Sequence, residues 1–256
     1  MKLFYGLYAL IFLCTITSVA QGPPITSDKP IMLGAGSFTA RTLLEFRNTD
    51  SGSFSYAPLI LNYLPTSNSL IEIELPLIGY ETTTGDAKQA LADIKVVGKY
   101  QFFRKDGMGK TFRIAAKTIQ TLPTGKALDL MYLSTGNYAG YYGIVAGIEK
   151  LNYGISNEIG YNWMPNGTLD EMRYKIGFGL PLLKPQYPNK QVNLYFEYTN
   201  SWLLERDWYQ LLYAQGIQYA RKNTTLDVSV QVPIINDVAE GRRLKYSLFG
   251  GGRFTF

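Results

Sequence analysis

Two acidic side chains, Glu72 and Glu74, come closest in this sequence to a catalytic pair. Two carboxyl groups side by side are one arrangement that general acid and base catalysis uses. The residues around them alternate between apolar and polar, which indicates a β-strand whose side chains point in turn to opposite faces. Residues two apart on a strand are neighbours on one face, and this accounts for the pair more simply. The pair alone does not indicate an enzyme.

A second motif, Gly107-Met108-Gly109-Lys110-Thr111, has the glycine, lysine and threonine of a phosphate-binding loop. Such a loop also needs a glycine five residues before Gly109, where this sequence has Arg104. The residues that follow have a strand pattern, so no helix begins there to receive a phosphate. We therefore interpret the motif as a hairpin turn.

Composition excludes whole classes of active site. The chain has no histidine, which removes serine–histidine hydrolases and imidazole-ligated metal sites. Its one cysteine, Cys14, lies in a segment that we expect to be cleaved, so we predict neither a disulfide nor a thiolate metal site. The net charge of +5 is spread along the chain without a run of lysine or arginine. We predict no cofactor and no nucleic-acid partner.

Most of the remaining charges share the polar face of strands whose other face is apolar. If the apolar faces contact lipid, these charges point inward, where each must be paired or hydrated. Both signs occur, which predicts cross-strand ion pairs in a narrow polar lumen and not the single-sign ring of a selective channel. They could line a wet path or fill the barrel as structural salt bridges, and the sequence leaves both open. The predicted lumen-lining residues are Arg41, Glu45, Glu72, Glu74, Lys95, Lys99, Arg113, Lys117, Glu149, Glu158, Arg173, Lys175, Glu197, Asp227, Lys245 and Arg253.

Strands of about ten residues with this alternation recur along the chain. In the clearest, Leu226, Val228 and Val230 share one face, and Asp227 and Ser229 share the other. A short helical turn is predicted over residues 86–93. Lipid cannot satisfy an open sheet edge, so the pattern predicts an all-β, transmembrane antiparallel up-and-down β-barrel. Its twelve predicted strands lie near 37–48, 55–64, 69–79, 92–104, 110–121, 137–149, 151–163, 170–182, 191–203, 207–221, 224–235 and 243–256.

The amino-terminal residues predict export. Lys2, an apolar run over 3–13 and Ser18-Val19-Ala20 have the order of a secretory signal peptide, which we place at residues 1–20. Residues 21–36 are rich in proline and glycine and predict a periplasmic lead-in to a barrel at 37–256. The sequence leaves open whether residues 21–36 or the loop 122–136 fills the lumen.

The last strand has an apolar, aromatic face and ends on a phenylalanine. Gly251, Phe254 and Phe256 resemble the carboxy-terminal assembly signal of bacterial outer-membrane barrels, although Phe249 stands where that signal has a polar residue. The resemblance implies recognition by the barrel-assembly machinery. Because a barrel has no free edge, we expect this strand to pair with the first, near residues 38–47.

Several segments between residues 90 and 256 also resemble a family. Residues 97–102, 122–125, 193–198, 216–219 and 230–233 are similar to the outer-membrane barrels associated with the meta-pathway of phenol degradation. The resemblance implies a protein that moves small compounds, aromatic ones among them, across the outer membrane. It does not identify the solute.

These observations favour a passive channel or transporter in the cell outer membrane, in contact with outer-membrane lipid and a small-molecule solute. A barrel that binds a partner or stiffens the membrane without transport is the alternative. An outer-membrane enzyme is disfavoured because the histidine that such sites commonly use is missing. A soluble secreted sandwich is the remaining class.

Overall fold

The chain folds into one continuous antiparallel sheet. The computed structural model describes residues 24–32, 34–82, 85, 87–125, 136–165, 170–183 and 190–256. The predicted signal peptide, residues 21–23 of the lead-in and most of the loop 122–136 lie outside these residues. In the part of the chain that is described, no helix is long and apolar enough to cross a membrane.

Thirteen strands follow one another along the described chain. Their bounds are β1 Phe38–Thr49, β2 Gly52–Thr66, β3 Ser69–Thr82, β4 Ala87–Leu91, β5 Lys95–Gly107, β6 Lys110–Thr121, β7 Ala139–Lys150, β8 Gly154–Trp163, β9 Glu171–Pro181, β10 Gln191–Leu203, β11 Trp208–Arg221, β12 Thr224–Asp237 and β13 Leu244–Thr255.

Twelve of these strands close into a barrel, which confirms the predicted fold class. Each barrel strand pairs with its sequence neighbours, and β1 pairs with both β2 and β13. Thr39 lies opposite Thr255 and Arg47 opposite Ser247, so the last strand closes on the first as predicted. Pairing of the last strand with the first leaves no open edge at the seam of the barrel and excludes the two-sheet sandwich.

The remaining strand, β4, corrects the prediction of a helical turn at 86–93. It pairs with the carboxy-terminal half of β3, from Leu77 opposite Leu91 to Glu81 opposite Ala87. The amino-terminal half of β3, from Ser69 to Glu74, pairs with β5 instead. Without β4, the carboxy-terminal half of β3 would have unpaired backbone groups on that side, and hydrogen bonds to these groups favour a strand over a helix.

Connections at one end of the barrel have two or three residues, with 182–190 as the exception, and several at the other end are longer. At one end, which we call the turn end, the connections are 67–68, 108–109, 151–153, 182–190 and 222–223. At the other, the loop end, they include 122–138, 164–170 and 238–243. Outer-membrane barrels have short periplasmic turns and long extracellular loops.

The two faces of the strands differ as the alternation predicts. On β12, Val228 and Val230 are exposed on the outside, whereas Asp227 and Ser229 are buried inside. The same outward set includes Leu59, Ile71, Ile159 and Ile217, all large and exposed. So wide an apolar surface is unfavourable in contact with water and favourable in contact with lipid.

We predict that Val230→Arg destabilises the barrel by about 2–4 kcal/mol, because the side chain lies outward near the middle of β12. The matched variant is Asn62→Arg, which lies on the cavity wall opposite Glu72 and should cost far less. The temperature at which the folded band shifts in mild SDS would measure both. Equal losses would contradict the assignment of faces.

Candidate functional site

The barrel encloses a cavity of about 1270 Å³ whose wall reaches both ends. Lys110, Lys190 and Lys222 line it at the turn end, and Thr49 and Arg242 line it at the loop end. Twelve of the sixteen residues predicted to line the lumen are on its wall. They are Arg41, Glu45, Glu72, Glu74, Lys95, Lys99, Arg113, Lys117, Glu149, Arg173, Lys175 and Arg253.

The other four predicted lumen residues do not line this cavity. Glu158, Glu197 and Asp227 face the interior but are 3 %, 1 % and 2 % exposed, because other groups cover them. Lys245 has the inward parity but lies at the loop end, where its side chain is half exposed and pairs with Asp50 at 3.5 Å. The alternation along β13 predicts an inward side chain at Lys245, but a side chain at the end of the barrel can turn to solvent.

Residues 24–32 occupy part of the lumen, and we call them the inner segment. Glu197 holds its start: the N–H groups of Thr26 and Ser27 donate to the Glu197 carboxylate at 3.1 and 2.6 Å. The Ser27 hydroxyl adds a bond of 2.7 Å. Lys175 donates to the Thr26 carbonyl at 3.1 Å. A charged acceptor on backbone N–H groups makes a strong anchor.

Asp28 is the electrostatic centre of the inner segment. Its carboxylate lies 2.5 Å from the Lys99 ammonium and 2.9 Å from that of Lys117. Burial alone would raise the pKa of this carboxyl, but Lys117 and Lys99 outweigh burial and hold the Asp28 pKa well below its usual range. Lys117 also pairs with Glu158 at 3.1 Å. Asp28 is therefore charged and shared between two strands of the wall.

The next residue, Lys29, ties the segment to β7. Its ammonium pairs with Glu149, and its carbonyl accepts a hydrogen bond from Lys99 at 3.1 Å. Burial lowers the Lys29 pKa and Glu149 opposes that effect. The segment thus contributes one charge of each sign to the interior network.

Glycines on the inner face make room for the segment. A Cβ at Gly147 would lie 2.9 Å from the Pro30 ring, and one at Gly216 would lie 2.4 Å from Ile25. At Gly177 it would meet the Ser27 hydroxyl at 2.4 Å. Inward glycines in otherwise polar strand faces are therefore a sequence signal for a filled lumen.

Apolar contacts complete the seat of the segment. Ile25 packs with Tyr195 and Phe249, and Leu43 covers them. This contact explains why Phe249 interrupts the polar face of the last strand. Met32 packs with Leu64 and Ala115 nearer the turn end.

The paired carboxylates Glu72 and Glu74 are neighbours on the cavity wall. Glu74 accepts hydrogen bonds from Tyr56 and from Lys95, the latter at 3.1 Å. The described residues contain no group of three or more His, Cys, Asp or Glu side chains that could hold a metal. The arrangement around Glu74 is that of an ion pair.

The glycine-rich motif forms a hairpin turn between β5 and β6, as predicted. Gly109 has φ +65°, and the Thr111 hydroxyl donates to Asp106 at 2.5 Å. The threonine that would serve a phosphate loop is thus engaged within the turn. No helix follows.

The carboxy-terminal residues complete the seam. The Phe256 N–H donates to the Phe38 carbonyl at 2.9 Å, and the two rings lie 5.4 Å apart on the outside of the barrel. A Cβ at Gly251 would lie 2.4 Å from the Thr42 carbonyl, so the closing strand needs glycine there. Recognition of Gly251, Phe254 and Phe256 by assembly machinery stays a prediction.

We expect deletion of Phe256 to slow membrane insertion strongly while assembled barrels lose at most about 1.5–3 kcal/mol, the value of one buried ring. Phe256 is 59 % exposed to the outside, so its own packing is modest. Pulse-chase insertion and the heat-shift temperature would be compared in one mutant. Tyr63→Ala, which removes an outward aromatic opposite Phe38, is the control. Normal insertion with a large stability loss would refute the assembly role.

Comparisons with known proteins agree with the fold. No family model and no curated protein sequence matches the chain, so the resemblance to the phenol meta-pathway family is not confirmed. Among solved structures, the barrel is similar to an outer membrane channel from Pseudomonas putida F1, with a TM-score of 0.63 and 13 % identity over 93 % of this chain and 100 % of that one. It is also similar to the NanC porin, with a TM-score of 0.57 and 10 % identity over 84 % and 98 % of the two chains. The chain therefore has the twelve-stranded fold of outer-membrane β-barrel channels.

Proposed function

We propose that this protein is an outer-membrane channel that passes small solutes and whose conductance is set by the inner segment. The observation that carries the proposal is one cavity, lined by polar and charged side chains, that reaches both ends of a closed barrel. A barrel that served only as a membrane anchor would gain more stability from apolar filling, since buried ion pairs are weakly stabilising.

The contacts of the inner segment support control of passage. Its ion pairs and hydrogen bonds to Glu197, Lys99, Lys117 and Glu149 are all non-covalent. Charged groups in a polar lumen can exchange partners for water at smaller cost than groups in an apolar core. Displacement of the segment would add its volume to the cavity.

The solute class that the phenol meta-pathway resemblance implies, small aromatic compounds, is part of this proposal. The solute must fit a cavity of about 1270 Å³ that the segment already narrows. The non-transporting barrel is the alternative, and the absence of an enzymatic activity stays a prediction.

Liposome swelling tests the proposal. Proteoliposomes containing the purified protein would be diluted into isosmotic solutions of a neutral pentose, phenol-sized aromatics or a trisaccharide. We expect swelling with the smaller solutes and little with the trisaccharide. The same assay would be run with a protein that lacks residues 24–32. If neither protein makes the vesicles swell more than empty vesicles do for any solute, the non-transporting barrel is favoured.

A further inference from the structure

The seam between the first and last strands carries two arginines directly opposite each other. Arg41 on β1 is the register partner of Arg253 on β13, and both side chains line the cavity. Like charges directly opposite destabilise a strand pair. The repulsion between the two guanidinium groups must therefore be offset, and a negatively charged group between them would do so.

One carboxylate serves this pair. Asp227 lies 3.3 Å from Arg41, and it also accepts a hydrogen bond from Gln218 at 2.8 Å. Within the described residues, Arg253 has no carboxylate at ion-pair distance, and it donates a hydrogen bond to the Thr225 hydroxyl at 3.3 Å. Asp227 is thus the one carboxylate at ion-pair distance from either guanidinium group in the described chain, and it pairs with Arg41.

Donor groups remain available on both side chains. Arg41 donates to the Ile25 carbonyl at 3.2 Å, which fixes its position, but its buried Nε has no hydrogen-bond partner. A guanidinium carries five N–H donors, and Arg253 uses few of them. The Arg41 Nε–H is a buried donor without an acceptor, which is costly, and Arg253 has further N–H groups, so a bound anion would be stabilising here.

Lysines extend the positive charge from the seam to the turn end. Lys222 lies in the β11–β12 turn, beside the Thr225–Arg253 register pair, and Lys190 precedes Gln191, which pairs with Ala220. Both lysines line the cavity, and neither has a carboxylate within ion-pair distance in the described chain. The connections at the turn end contain no acidic residue, whereas those at the loop end contain Asp50, Asp93, Asp170 and Glu205 among others.

We propose that Arg41 and Arg253 form an anion-binding site inside the barrel, with Lys222 and Lys190 at its turn-end mouth. The ligand is a small soluble solute bearing a carboxylate or phosphate group, because the planar fork of a guanidinium matches those groups. A lipid headgroup has the same chemistry, but these side chains line the interior and not the outer wall. The proposal rests on the channel function only for the route by which the anion arrives.

Equilibrium dialysis of the full-length mature protein in non-ionic detergent, with radiolabelled pyrophosphate as the probe, tests the site directly. We expect Arg253→Gln to weaken binding about tenfold or more, since charge-assisted hydrogen bonds are lost. Arg41→Gln is the second variant, in case the first does not fold. Lys245→Gln removes the same charge at the loop end and should leave the affinity unchanged.

Asp227→Asn should have the opposite effect and tighten binding, because it removes the one negative charge that competes with the ligand while it keeps an acceptor for Gln218. A role in barrel stability alone would not reverse sign in this way. Weak binding by the unmodified protein, equal to that of Arg253→Gln, would overturn the proposal, as would an equal loss in Lys245→Gln.

Reversal potentials under a KCl gradient provide the second readout and separate the two proposals. The unmodified channel should prefer chloride, and Arg253→Gln should lose much of that preference. Pyrophosphate binding without any current would refute the channel and keep the site. Current without binding, and with a preference for chloride that Arg253→Gln does not change, would refute the site and keep the channel. Binding that appears only when anionic phospholipid vesicles replace pyrophosphate would assign the lysines to lipid and overturn the soluble ligand.

Discussion

Deletion of residues 24–32 should raise the single-channel conductance severalfold. The inner segment fills lumen between β5–β7 on one side and β9–β11 and β13 on the other, where it contacts Lys99, Lys117 and Glu197. Its removal widens the path and frees these charges to be hydrated. The measurement is the conductance of the deleted protein in planar bilayers at high salt, beside that of the intact chain.

A peptide of residues 24–32 provides the control for this deletion. Added on the turn-end side of the deleted channel, it should reduce the current, and a scrambled peptide of the same composition should not. Equal conductance of the intact and deleted proteins would show that the wall side chains, and not the inner segment, limit passage. The barrel should survive the deletion, because its strands hydrogen-bond to one another independently of the segment.

Asp28→Asn should release the inner segment from the wall. The substitution removes the carboxylate that lies between Lys99 and Lys117 and leaves two ammonium groups near each other. Removing one partner of a buried ion pair costs about 3–5 kcal/mol, so the undocked fraction should rise on the order of a hundredfold or more.

A single cysteine reports this release. Thr26→Cys is suited to the purpose because the Thr26 hydroxyl is buried without a hydrogen-bond partner and cysteine has a similar size. The mature chain should contain no other cysteine. We expect maleimide to label Cys at position 26 much faster in the Asp28→Asn background.

Asp50→Asn is the matched control for Asp28→Asn. It removes the carboxylate of an exposed pair with Lys245 at the loop end, and such pairs contribute only about 0–1 kcal/mol. Labelling at position 26 should not change in that background. A similar labelling rate in all three proteins would mean that Asp28 does not hold the segment.

The balance of charges explains how the segment can be both firmly seated and releasable. Asp28 and Lys29 enter as one anion and one cation, each beside wall residues of opposite sign. Desolvation opposes their burial, and the ion pairs offset much of that cost. The net free energy of docking the inner segment is therefore smaller than the number of its contacts suggests. Loss of the Asp28 charge should be enough to shift the segment towards the undocked state.

The sequence by itself determined the twelve barrel strands, the facing of most of their side chains and the closure of the barrel. Alternation such as that of Val228, Ser229 and Val230 is local, and it directly reports which side of a strand contacts lipid. Turn residues such as Gly109 end the strands for equally local reasons. Closure follows from the need to satisfy every backbone group in lipid.

Only the tertiary structure decided what the lumen contains. Lys99 and Lys117 were predicted to face inward, but their shared partner, Asp28, lies about seventy to ninety residues away in a segment without strand pattern. Likewise, Arg41 and Arg253 meet because the chain ends close on each other. The identity of β4 also depended on a free edge of β3 that local sequence does not reveal. The side of a strand on which a residue lies follows from the local sequence of that strand. Which side chains meet across the lumen depends instead on strand register, on the curvature of the barrel and on the path of the segment that enters the lumen.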